Sequence, residues 1–98
     1  MKRDAAITRL RSLEPALRRQ GVSALFLFGS VARNDASDTS DLDLLFDVPR
    51  NVRFSLFDQA RIQRELAELL CADVDFVPME ALRPGVRSRV EAEMVRVF

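Results

Sequence analysis

Two apolar runs, separated by a stretch of small and polar residues, constrain this chain more than anything else in it: LFLFGSVARNDASDTSDLDLLFDV, residues 25–48. The first run, residues 23–28, is short, aromatic and aliphatic, and is bounded by Gly21 and Gly29, which predicts a strand buried on both faces. The second, residues 42–48, predicts another strand, ended by Pro49. Two acids, Asp41 and Asp43, interrupt that second apolar segment. Side chains alternate along a strand, so both carboxylates project from one face while Leu42, Leu44 and Phe46 point to the other. Two carboxylates at that separation repel each other and resist burial unless a cation lies between them.

The chemistry of the chain narrows which cation. It contains no histidine and one cysteine, Cys71, so oxygen donors dominate and a hard divalent ion, magnesium first, is favoured over zinc. Such an ion commonly holds phosphate oxygens together with protein carboxylates, which makes a nucleotide the natural ligand. Gly29-Ser30 fits from the other side. A glycine at a strand end lets backbone amides approach an anion, and a serine hydroxyl beside it can donate to a phosphate oxygen. A helical turn at residues 31–34 would add further donors, and Arg33 a positive charge.

A third acid, Asp75, stands in Val74-Asp75-Phe76-Val77, inside a third predicted strand at residues 74–78. If that strand pairs beside the second, its carboxylate joins the cluster, and three acids around two metal ions suit in-line phosphoryl transfer. Each feature also has a plainer reading. Gly-Ser after a strand is usually just a turn, Asp-x-Asp on a strand is often an exposed edge feature, Asp75 alone reads as a strand-end residue, and Arg33 alone as solvated. Asp35, Asp38 and Asp47 read as loop or strand-end acids. The order and spacing of the whole set are more specific than its parts.

The remaining segments are helical. Ile7, Leu10, Leu13 and Leu17 recur at helical spacing within residues 3–20, with Pro15 predicting a kink or a junction of two helices near residues 12–14 and Gly21 a stop. Ser55 begins the next helix as an N-cap with Asp58 three residues on. Leu56, Ala60, Leu66, Leu69 and Leu70 are its predicted buried stripe, Glu65 and Glu68 its wet side, and Cys71, at its end, a small core residue. Residues 82–97 predict a closing helix with Pro84 near its start and Val86, Val90, Met94 and Val97 on one face. The expectation is an α+β fold, a small mixed β-sheet of three to four strands covered by helices.

At 98 residues the chain is expected to form one domain, residues 1–98, with one modest core. Composition, 48% hydrophobic and 31% charged, excludes a disordered chain. Fifteen basic residues balance fifteen acidic ones, so no direct nucleic-acid partner is expected. The absence of a long apolar run or an apolar leader implies a cytoplasmic protein without a membrane partner. The basic excess of the first twenty residues reads as a solvated helix face or a docking face.

Gly29-Ser30, ten residues, Asp41-x-Asp43 and the later Asp75 resemble the signature of the polymerase-β-type nucleotidyltransferases. The string GSVARNDASDTSDLDLLF, with SLFDQARIQRELAELL and VDFVPMEALRPGVRSRVEAEMVRVF, is similar to their minimal branch, the MNT proteins. The resemblance implies transfer of a nucleoside monophosphate from a nucleoside triphosphate, with release of pyrophosphate. It assigns the triphosphate to Gly29 and Ser30, with Arg33 nearby, and Mg2+ to Asp41 and Asp43. Asp75 completes the metal site and assists deprotonation of the acceptor. MNT proteins are similar to antitoxins whose toxin is a HEPN-domain ribonuclease, and the implied reaction is attachment of AMP from ATP to a toxin tyrosine. Two alternatives stand beside it: an antitoxin that acts by occlusion without catalysis, and nucleotidylation of a small molecule, against which the short chain argues.

Overall fold

The computed structural model describes residues 2–34 and 41–98. The readings of Asp35 and Asp38 as loop acids lie outside the described residues. The chain opens with two short helices, α1 (Arg3–Ser12) and α2 (Glu14–Arg19), which meet at Leu13 as Pro15 requires. Gly21, at φ +106°, turns the chain into the first strand. β1 (Ala24–Phe28) is followed directly by one helical turn, α3 (Gly29–Ala32), and then by β2 (Leu42–Asp47). The helical turn therefore begins two residues before the predicted 31–34, because Phe28 is extended and Gly29 bends the chain at once.

The capping signal at Ser55 is present in full. The Ser55 hydroxyl accepts from the Asp58 amide, and the Asp58 carboxylate accepts from the Ser55 amide, at the head of α4 (Leu56–Leu70). β3 (Val74–Pro78) follows, then a 3-10 turn (Met79–Ala81), α5 (Pro84–Glu93) and a short strand, β4 (Val95–Arg96). The sheet order is β3-β2-β1-β4, with β2 parallel to β3 and both β2 and β4 antiparallel to β1. The architecture is the expected mixed α+β sheet with helices, completed to four strands.

One face of the sheet carries the main core. Leu25, Leu27, Leu42, Leu44, Phe46 and Phe76 pack against Ala6, Leu10 and Leu17 from the first two helices and Ile62, Leu66 and Leu70 from α4. Phe46 and Phe76 stack with centroids 4.0 Å apart, joining β2 to β3. The opposite face holds a smaller cluster, Ala24, Phe26, Leu45 and Met79, closed by Leu82, Val90 and Met94. By strand alternation, Asp43 and Asp75 project on this second face, in line with Leu45 and Val77.

Three expectations are corrected. The stripe of α4 is Ile62, Leu66 and Leu70; Leu56 and Leu69 are 80% and 53% exposed, and Ala60 is exposed too. The i, i+4, i+8 row sets the phase of the helix against the sheet, which turns Leu69 about 100° away and leaves Leu56 overhanging at the first turn. Cys71 is exposed rather than core, because it terminates α4 in the left-handed conformation at φ 51°, turning its side chain off the buried face. The closing helix stops at Glu93 instead of continuing to Val97, and leaves Val86 39% exposed. The tail instead pairs with the free edge of β1, where Val97 donates to Leu25 O at 2.8 Å and Leu25 donates to Phe98 O at 3.0 Å. Satisfying an open strand edge and burying Val97 and Phe98 outweighs one more helical turn.

Candidate functional site

The sheet topology brings the dispersed acids together. Because β2 and β3 run parallel in register, Asp43 is the cross-strand partner of Asp75, and alternation sets the two side chains beside each other on one face of the sheet. Because β1 is antiparallel to β2, Phe28 stands opposite Asp43, so Gly29 begins its turn immediately beside that carboxylate. Gly29 has φ +76°, and a Cβ built on it would lie 2.2 Å from Asp43 Oδ2. Glycine is needed there twice, for the backbone angle and for the space the carboxylate occupies.

The electrostatics follow from this crowding. Burial, the adjacent Asp75 carboxylate and the charge of Asp41 push the Asp43 carboxyl up to about 6, while Arg33 pulls the other way. Asp43 is half-buried, whereas Asp41 and Asp75 are exposed, so the site has an inner acid and two acids open to an incoming group. Arg33, just after α3, pairs with Glu93 of α5 at 3.3 Å, which links the glycine turn to the helix covering the second face of the sheet. Ser30 lies in α3, one residue from Gly29, and no side chain caps the start of that turn.

All six predicted site residues thus fall around one end of the sheet, at the start of β2 and β3 and the end of β1. Glu93 was not foreseen. It lies 60 residues from Arg33, and nothing local in the sequence distinguishes it from other helix-surface acids. Gln59 and Gln63 were also unmarked; they donate to Phe76 O at 3.1 Å and Val74 O at 2.8 Å, on either side of Asp75.

Comparison with known proteins adds the family. A profile of the nucleotidyltransferase domain matches residues 10–97. The chain belongs to the nucleotidyltransferase domain family. A candidate protein adenylyltransferase of Methanocaldococcus jannaschii is 36% identical over 88 residues, 90% of this chain and 92% of its own length. The solved structure of a candidate minimal nucleotidyltransferase superposes with a TM-score of 0.81 at 34% identity, covering 97% of this chain and 95% of that one. The complex of a tri-AMPylated Shewanella oneidensis HEPN toxin with an MNT antitoxin also contains the fold, with a TM-score of 0.68 at 17% identity over 93% of this chain and 70% of the matched chain.

The donor set of this nucleotidyltransferase domain suits a hard divalent cation. Two carboxylates side by side on paired strands, with a third acid near them and no nitrogen or sulfur metal ligand among the site residues, repel each other, and a proton or a hard cation between them relieves that repulsion. Among the described residues, no three such side chains converge as a finished cage. Phosphate oxygens of a bound nucleotide are the natural supplement, as magnesium sites usually combine one or two carboxylates with substrate phosphates. Among the described residues, no helix is long and apolar enough to cross a membrane.

Proposed function

We propose that this chain is an antitoxin that transfers AMP from ATP to a tyrosine hydroxyl of a HEPN-domain ribonuclease toxin and so neutralises it. In this reading Asp41, Asp43 and Asp75 hold Mg2+, two ions in the full site, and Gly29, Ser30 and Arg33 receive the nucleotide. The observation that carries it is the pairing of Asp43 with Asp75 across parallel strands, hard against a glycine that admits no side chain. The likeness to proteins named as adenylyltransferases supports the choice of AMP and of a protein acceptor.

The residues divide the work according to their exposure. The acceptor oxygen attacks the α-phosphorus of ATP, the bond from that phosphorus to the bridging oxygen breaks, and pyrophosphate leaves with the bonding pair. In this reading Asp75, exposed at the strand edge, takes the hydroxyl proton. Asp43, half-buried and fixed between Gly29 and Asp75, keeps the geometry of the site. The amides of the Gly29 turn and the Arg33 guanidinium offset phosphate charge, with Glu93 holding Arg33 at the rim. Bound magnesium would neutralise the triphosphate and stabilise charge building on the phosphoryl oxygens.

The test is an intact-mass measurement on a HEPN-domain protein co-expressed with this chain and incubated with Mg-ATP. An AMP-sized increment that disappears with Asp43→Asn is the expected result. Toxin inhibition and complex formation that survive Asp41→Asn and Asp43→Asn, with no increment from the unmodified chain, would replace the enzyme by an antitoxin acting through occlusion.

A further inference from the structure

Beside Asp75 the surface opens into a groove of about 490 Å³ between α4 and β3, lined by Ala60, Gln63, Arg64 and Ala67 on the helix and Asp73 and Asp75 on the strand side. We infer that this groove seats the acceptor segment of the protein partner, which lays its hydroxyl against Asp75 and a neighbouring carboxylate against Arg64. The inference rests on the adenylyl-transfer reading and adds to it where the acceptor enters and what chemistry recognises it.

Three observations support the assignment. First, the groove borders the site at the edge of the sheet: Asp75 lines it and is also the cross-strand partner of Asp43, its side chain on the face away from α4, so a segment in the groove reaches that carboxylate by passing around the edge of β3. Secondly, the outward carbonyls of β3 are already taken. Asp73 O faces β2 by accepting from Leu42 N at 2.9 Å, so the carbonyls of Val74 and Phe76 face outward. Gln63 and Gln59 cap both of those carbonyls. A segment entering here is therefore held chiefly by its side chains rather than by adding a strand to the sheet. Thirdly, Arg64 is exposed and pairs with no acid among the described residues, whereas Arg61, one turn earlier, is bound to Asp58 at 3.2 Å. With Asp73 and Asp75 opposite, an acidic residue on the incoming segment is best placed on the helix side, against Arg64. The small side chains of Ala60 and Ala67, seven residues apart on α4, leave the floor low enough for a chain to lie along it.

The experiment uses the whole chain and the co-expressed HEPN-domain protein. Arg64→Glu and Ala60→Trp change exposed positions, and far-ultraviolet circular dichroism checks that both variants fold. Partner affinity is measured by calorimetry, ATP affinity separately, and AMP transfer by intact mass. The expected result is a loss of about tenfold in partner affinity and a matching rise in the partner's KM, with ATP affinity unchanged and Arg64→Lys near wild type. Unchanged partner affinity and transfer in both variants would overturn the inference, as would a parallel loss of ATP affinity, which would make the groove part of the nucleotide site. If the unmodified chain transfers no AMP yet both variants weaken partner binding, the docking site stands and the transfer reading falls; if binding is also unchanged, both fall.

Discussion

Gly29 and Asp43 are packed so closely that the space of one β-carbon on Gly29 is filled by the carboxylate of Asp43, 2.2 Å from where that carbon would sit. The contact explains how two features separated by a polar loop act as one unit. β1 ends where β2 begins its buried course, Phe28 opposite Asp43, so the turn after β1 and the acid of β2 share one position in space.

Gly29→Ala should therefore disable the site without unfolding the domain. The methyl group must displace the Asp43 carboxylate, and alanine must adopt φ +76° or move the turn. A displacement of order 1 Å at a reacting centre costs about a hundredfold in rate. AMP transfer by the variant should fall by about that factor, with a lowered Tm. Wild-type transfer would show that the approach of Gly29 to Asp43 has no part in the chemistry.

The Asp43 carboxyl, raised from 3.8 to about 6 by burial first and then by Asp75 and Asp41, makes the metal-free fold sensitive to pH. A group that holds its proton more tightly when folded supports the fold fully below its unfolded value and loses that support as pH rises through its folded value. Stability measured in a chelator should fall between about pH 4 and pH 6. Asp43→Asn should remove much of this slope, giving a higher Tm than wild type at about pH 8 and no advantage at about pH 3.5. Mg2+ should raise the wild-type Tm at about pH 8 and leave the Asn variant nearly unmoved. Equal slopes in the two proteins would show that Asp43 is not the group responsible.

The capping box at Ser55 offers a control remote from the acids. Ser55→Ala leaves the Asp58 amide without its side-chain acceptor, at a cost of about 1 kcal/mol to the fold. Chemical denaturation should show a reduced midpoint with an unchanged slope, and AMP transfer at a temperature well below Tm should be unaltered. A loss of transfer as large as that from Gly29→Ala would couple the head of α4 to the site.

What could be read from the residues depended on how local the controlling physics is. The Ser55 cap, the Pro15 junction, the Gly21 stop and the alternation that puts Asp43 opposite Leu42 and Leu44 depend on a few neighbours, and the structure shows each of them. The buried row of α4 is not legible locally, because Leu56 and Leu69 are as apolar as Leu66; only the sheet beneath decides which face is covered. The tail Val95-Arg96-Val97-Phe98 carries too few residues to separate helix from strand, and its fate was settled by an empty edge on β1, some seventy positions earlier. Arg33 and Glu93 meet for the same reason, through packing of α3 against α5 that no motif announces.

That tail supplies the last prediction. Phe98 is buried, its carbonyl accepts from Leu25 N at 3.0 Å, and the Arg18 guanidinium lies 5.1 Å from the centroid of its ring. Arg11 donates to Val97 O at 3.1 Å, so α1, α2 and β1 all converge on these two residues. Phe98→Ala removes a buried aromatic side chain and leaves a cavity beneath α2, at a cost of about 3 kcal/mol. A domain of this size has about 5–15 kcal/mol to lose, so the variant should remain folded at low temperature with a markedly lower Tm. Hydrogen exchange should show the amides of β1 losing protection first, and Gly29, which continues directly from β1, should loosen with them. AMP transfer should then decline with temperature well before global unfolding. A variant whose Tm equals that of wild type would show that β4 and the tail are an ornament of the sheet, with β1 held by β2 alone.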